Sequence, residues 1–148
     1  MNHYIREECR LCNSQNLESV LTLNGSPLCD AYIIEKKKQY FYPLGINLCM
    51  DCSFVQLNAV VNQEIIYRDY IYVTASSSGL ERHFSKYCRE VSDYLSLDGK
   101  KLVVDIGCND GTLLKHFRMK KFRVSGVEPA INIANKVATN GIKTYPNF

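Results

Sequence analysis

Val103-Val104-Asp105-Ile106-Gly107-Cys108-Asn109-Asp110-Gly111 is the stretch on which the reading of this chain turns. A short apolar run, a turn bounded by glycines and the opening of a helix near Thr112 follow one another, the strand–turn–helix order of a βαβ unit. Glu128 closes the next apolar run, 21 residues past Gly107. That separation puts an acid where a doubly wound fold holds the ribose of an adenosine-bearing ligand. The glycines let the backbone approach such a ligand closely, and Glu128 can accept from two ribose hydroxyls.

Outward from this stretch the alternation continues. Residues 101–105 read as a first parallel strand, whose uninterrupted apolar run suits burial on both faces. Residues 112–119 form a helix carrying Leu113, Leu114 and Phe117, and residues 122–128 a second strand. Residues 130–140 form a second helix stopped by Gly141, and residues 142–145 begin a third strand. The order βαβαβ is one mononucleotide-binding half of a Rossmann-like sheet. Before it, Leu80, Phe84, Tyr87, Cys88, Val91 and Leu95 recur at helical spacing. Ser78-x-x-Glu81 reads as that helix's capping box and Gly99 as its stop.

Two cysteine pairs dominate the other end: Cys9-Arg10-Leu11-Cys12 and Cys49-Met50-Asp51-Cys52. Two residues between cysteines let both sulfurs face inward from one turn, and two such turns complete a tetrahedron around a soft divalent ion. Zinc suits four thiolates, and a closed site of this kind serves folding rather than catalysis. The competing readings are disulfides and a thioredoxin-type redox pair, the latter lacking its βαβ context here. The 36 residues between the knuckles hold short strands over 17–23 and 41–48. Cys29 reads as a small packed residue, His83 as a packing or capping residue, and His3 and His116 as solvent-facing. The fold class is α/β in three stretches: a zinc-binding domain over residues 1–62, a linker and helix over 63–99, and the first half of the sheet over 100–148.

The formal net charge of +3 over 148 residues is weak, and Lys36-Lys37-Lys38 is the one dense basic block, a solvated loop. Nothing here calls for nucleic acid. No run approaches the ~20 apolar residues that span a bilayer, and the first residues lack an apolar signal segment. The expectation is a cytoplasmic protein without membrane or nucleic-acid partners, whose seven cysteines stay thiols or bind metal.

The turn lacks the middle glycine of G-x-G-x-x-G, which weakens a pyrophosphate cradle and with it an NAD-dependent enzyme. S-adenosyl-L-methionine (SAM) has no phosphates, and Asp105 and Asp110 bring negative charge to a ligand that carries a cation. Asp105, Gly107, Cys108, Asn109, Asp110 and Gly111, with Glu128 and Pro129 after the second strand, are the candidate cofactor residues. The plain alternative is an ordinary βαβ turn with exposed acids.

Three blocks read together are more specific than any alone. The second cysteine pair sits in Tyr42-Pro43-Leu44-Gly45-Ile46-Asn47-Leu48-Cys49 and is followed by Val55-Gln56-Leu57. Asp69-Tyr70-Ile71-Tyr72, Ser76-Ser77-Ser78 and His83-Phe84 come next, then residues 105–114 and Gly126-Val127-Glu128-Pro129-Ala130. The chain resembles the zinc-containing, SAM-dependent C-methyltransferases of nucleotide-linked deoxysugars. The resemblance implies an enzyme with an N-terminal zinc domain, a central methyltransferase domain and a C-terminal domain, of which this chain is the N-terminal portion.

It further implies Cys9, Cys12, Cys49 and Cys52 as zinc ligands, the 105–111 turn and Glu128 around the cofactor, and Tyr72 near the bound ligands. The family often has Ser where Cys108 stands. In its reaction a base removes the proton beside a sugar ketone, and the carbon then attacks the sulfonium methyl. The family's base comes from a later part, so no catalytic residue is assigned and the chain alone is expected to lack turnover. A truncated sheet exposes apolar faces that suit a complementing chain or self-association. The alternative is a non-enzymatic zinc-ribbon interaction module.

Overall fold

The computed structural model describes residues 2–96 and 100–148. The chain divides into two units, Met1–Ile66 and Tyr67–Phe148. The first contains β1 (His3–Ile5), β2 (Leu17–Ser26), β3 (Tyr42–Cys49), β4 (Val55–Leu57) and β5 (Ala59–Val61). Strands β2, β3 and β4 form one antiparallel sheet in that order, and β1 pairs with β5. This connectivity positions the cysteines. The second pair makes the hairpin turn between β3 and β4, and the first lies between β1 and β2, where Leu17 opens β2 directly opposite Cys49.

His3 is half-buried in an aromatic group, 6.0 Å from Tyr40 and 5.7 Å from Tyr42 between ring centroids, so it does not face solvent as expected. Cys29 is exposed rather than packed, its thiol 3.5 Å from the Asp30 carboxylate. The Lys36–38 run is exposed, as a solvated loop should be.

A short helix, α1 (Gln63–Tyr67), joins the units. The second unit runs through a 3-10 turn (Thr74–Ser76), α2 (Ser78–Tyr94), β6 (Leu102–Ile106), α3 (Thr112–Met119), β7 (Arg123–Val127), α4 (Ile131–Thr139) and β8 (Lys143–Tyr145). The three strands form a parallel sheet in the order β6-β7-β8. Gly141 adopts φ 78° just past α4, where a side chain would be strained, and so ends that helix. The capping box does not form. Ser77 is the N-cap of α2, with no side-chain bond, and its carbonyl accepts from Leu80 and Glu81. Ser78 is already helical and cannot cap. Gly99, the expected stop, lies outside the described residues; α2 itself ends at Tyr94.

Val103 and Val124 pack beneath one cluster built from Leu114, Ala130, Ile133 and Val137, and beneath a second built from Cys88, Phe117 and Phe122. Helices α2, α3 and α4 therefore cover the same face. The other face of β6 is open: Leu102, Val104 and Ile106 are 52, 53 and 80% exposed. The expectation that β6 is buried on both faces fails for that reason. Its apolar run fits a two-sided burial that only one layer of helices supplies among the described residues.

Candidate functional site

In the first unit the sequence builds two copies of one turn. The Cys9 N–H donates to the Ser14 carbonyl and the Asn13 N–H to the Cys9 carbonyl; Cys49 with Phe54 and Ser53 with Cys49 repeat the pattern. Asn13 and Ser53, each just after the second cysteine of its pair, share a φ of 62°. All four sulfurs lie within 4.8 Å of one another, with Cys9–Cys52 and Cys12–Cys49 both at 3.6 Å. A tetrahedral ion with Zn–S bonds of about 2.3 Å sets its sulfurs about 3.8 Å apart. The four cysteines fit zinc, and the cage leaves no position for a substrate.

The thiols feel one another. Burial raises the Cys9 thiol, but N–H donors from Cys12 and Leu11 and the neighbouring thiols outweigh it and bring it down to about 7. The Phe54 N–H favours the Cys52 thiolate, yet burial and the other three sulfurs push it up to about 12. Accumulating negative charge on four crowded sulfurs is what a divalent cation offsets.

Two supports escaped the sequence reading. Buried Gln56 accepts from the Arg10 N–H at 2.9 Å and donates to the Glu8 carbonyl at 3.0 Å, clamping the first knuckle from β4. Asp51, inside the second knuckle, accepts from Ser14 and, at 2.8 Å, from the Asn16 carboxamide. Those two donors, Ser14 foremost, hold its carboxyl below the usual range. Gln56 stood in a quoted block, but nothing local marked it as a clamp.

In the second unit, β6 ends at Ile106 and the glycine turn follows. Gly107 and Gly111 adopt φ 83° and 74°, and a Cβ at Gly107 would meet nothing within 4 Å. The backbone there is open to an approaching group. Cys108 is buried beneath Gly126, where an added Cβ would lie 2.5 Å from its sulfur. Burial first, then Asp105 and Glu128, push the Cys108 thiol up to about 12, so it is an inert packing group. Asp105 is half-buried at the end of β6, and burial followed by the Glu128 charge raises its carboxyl.

Glu128 is only 5% exposed. Its two oxygens accept from the Asn109 and Ala130 N–H groups, each at 2.8 Å. Its first task is thus to brace the turn against the start of α4. Asp110, one residue before the Gly111 N-cap of α3, accepts from the Thr112 N–H at 3.1 Å and hydroxyl at 2.6 Å, and also from the Ala75 N–H at 2.7 Å. Asn109 is occupied with residues 72 and 74. Pro129 directs its carbonyl to Arg68 at 3.3 Å. The structure therefore brings Asp105, residues 107–111, Glu128 and Pro129 to the carboxyl ends of β6 and β7, with Tyr72 bonded to Asn109. His83 is exposed on α2 and stacks on Tyr87, and His116 is half-buried on α3.

A four-sulfur cage on a small antiparallel unit, followed by a parallel βαβαβ unit, is the arrangement against which known proteins compare. Residues 9–67, which take in all four ligands, match the Methyltransf_13 family model, described as "Putative zinc binding domain". The chain is also similar to the C-methyltransferase NovU of Streptomyces niveus, with 27% identity over 143 residues, 95% of this chain. It spans about a third of that relative's length, 34%. Both agree with the coarse part of the resemblance drawn from the sequence blocks: a zinc-binding portion, and similarity to part of a C-methyltransferase. Among the described residues no helix is long and apolar enough to cross a membrane.

Proposed function

We propose that the chain is the zinc-binding and cofactor-binding part of a SAM-dependent C-methyltransferase acting on a nucleotide-linked 4-keto-deoxysugar. The observation that carries the choice of cofactor is where the turn's donors go. The N–H groups of Gly107 and Cys108 donate to Val127, that of Asn109 to Glu128, and that of Gly111 to Cys108. The N-terminus of α3, where a doubly wound fold seats a pyrophosphate, is taken by the Asp110 carboxylate. A turn in which the N–H groups of Gly107, Cys108, Asn109 and Gly111 are engaged, and which is ringed by Asp105, Asp110 and Glu128, suits a phosphate-free, positively charged ligand over a dinucleotide.

When bound, SAM supplies a methyl group on a positively charged sulfur. The chain's own residues bind and orient. Gly107 leaves its backbone accessible, Glu128 fixes the turn, and Asp105 offers a carboxyl at the strand end. Catalysis of this type rests on alignment of carbon, methyl and sulfur; proton removal is assigned to no residue here. In this reading the parallel unit is half of a Rossmann-like sheet. A further parallel strand beside β6, with a helix over Leu102, Val104 and Ile106, completes it, drawn from the same polypeptide or a complementing chain.

Calorimetric titration of SAM and of NAD into the purified chain tests the reading, after elemental analysis of its zinc. One zinc per chain, heat with SAM and none with NAD is the expected result. Heat with NAD overturns the cofactor assignment. Zinc with no SAM binding favours the interaction module.

A further inference from the structure

Residues 68–75 form a strap across the carboxyl ends of the three parallel strands. Arg68 reaches the Pro129 and Pro146 carbonyls at 3.3 and 3.5 Å and lies 4.9 Å over the Phe148 ring, beyond β7 and β8. Tyr70 packs on the core cluster that includes Cys108 and Ala130. At the other end the strap is held by the turn after β6. The Asn109 carboxamide donates to the Tyr72 carbonyl at 2.9 Å and accepts from the Thr74 N–H at 2.9 Å and hydroxyl at 3.3 Å. Asp110 accepts from the Ala75 N–H alongside.

The carboxamide is committed to this task by its backbone. Asn109 sits at φ 48°, a left-handed conformation that Asn tolerates, and its own N–H is pinned by Glu128. A carboxamide carries a donor and an acceptor on separate atoms, so one side chain bonds the carbonyl at 72 and the N–H at 74 at once. The carboxyl ends of such strands are where open α/β sheets take ligands. At the second anchor stands Tyr72, 38% exposed, its ring 6.4 Å from that of Tyr70.

We infer that Asn109 is a positioning residue that, by latching the strap to the glycine turn, holds the Tyr72 ring at the crevice as an aromatic wall for a cationic cofactor. An aromatic face attracts a cation, and a ring fixed before binding loses less entropy on contact. The inference rests on the SAM reading above and adds to it: Asn109 acts through the strap, not on the ligand.

A double-mutant cycle on SAM affinity decides the matter, using Asn109→Ala, Tyr72→Ala and the pair, with melting curves to confirm folding. Each single variant is expected to weaken SAM about five- to tenfold, the worth of a lost hydrogen bond or cation–π contact. The pair should lose no more than the worse single variant, because without the ring the latch has nothing to place. Additive losses, or no effect of either change, overturn the inference and leave the SAM reading intact. No binding by the wild-type chain overturns both. Should Asn109→Ala fail to fold, Thr74→Pro replaces it. It removes the strap's donor while sparing the turn, at the first position of a 3-10 turn preceded by an extended Val73 (φ −121°, ψ 132°), where proline fits. It must then show the same loss and the same non-additivity with Tyr72→Ala.

Discussion

Glu128→Ala should strongly destabilise the second unit, whatever it does to a ligand. The side chain is 5% exposed and its carboxylate accepts two backbone N–H groups at 2.8 Å. A hydrogen bond to a charged group contributes about 1.5–3 kcal/mol. Ala130 is fully buried, so its N–H loses its partner and gains no water; half-buried Asn109 recovers some. Relief of the repulsion that raises the Asp105 carboxyl offsets part of the loss. The net cost is about 3–4 kcal/mol. A unit of about 80 residues has a total stability of about 4–12 kcal/mol.

Glu128→Gln keeps one acceptor oxygen but turns an amide N–H₂ toward a donor, so about half that loss is expected. Urea unfolding followed by far-UV circular dichroism reads the effect cleanly, because α2, α3 and α4 all lie in this unit. A loss below about 1 kcal/mol for Glu128→Ala, or equal losses for the two variants, refutes the bracing role.

Gly126→Ala places a Cβ 2.5 Å from the Cys108 sulfur and 3.2 Å from Leu114, which costs about 1–3 kcal/mol. Adding Cys108→Ala should restore most of the melting temperature. Gln56→Ala strands the Arg10 N–H and the Glu8 carbonyl and should speed zinc release to a chromogenic chelator several-fold, with all four cysteines intact. In the folded chain at pH 8 to 9, iodoacetamide followed by mass spectrometry should modify exposed Cys29 and spare Cys108. Burial holds the Cys108 thiol protonated up to about 12, whereas an unfolded cysteine ionises near 8.5. Its contribution to stability is therefore complete below about pH 8.5 and is lost as the pH rises toward 12.

What the sequence made legible was local. A two-residue spacing between cysteines dictates a knuckle wherever it occurs, and alternating apolar runs with Gly107, Gly111 and Gly141 at the breaks set the βαβαβ order. What escaped it depended on distant partners. Gln56 reaches back 46 residues to Arg10, and Asn109 reaches 35 residues to Thr74. The acids of the turn read as ligand groups because nothing local shows that backbone N–H groups would claim them first. The capping box failed by a shift of one residue, since Ser77 took the N-cap before Ser78 could. The apolar run of β6 records a preference for burial but not which layer satisfies it.

The most direct test of the account is where SAM perturbs the chain. A ¹⁵N-labelled, zinc-loaded sample titrated with SAM and followed by amide chemical shifts gives the answer without altering a residue. The amides of residues 107–111, 128, 130 and 72–75 should shift together in one saturable event, while those of residues 9–16 and 49–56 around the zinc stay in place. Shifts confined to the zinc unit, or no shift at saturating SAM, contradict it.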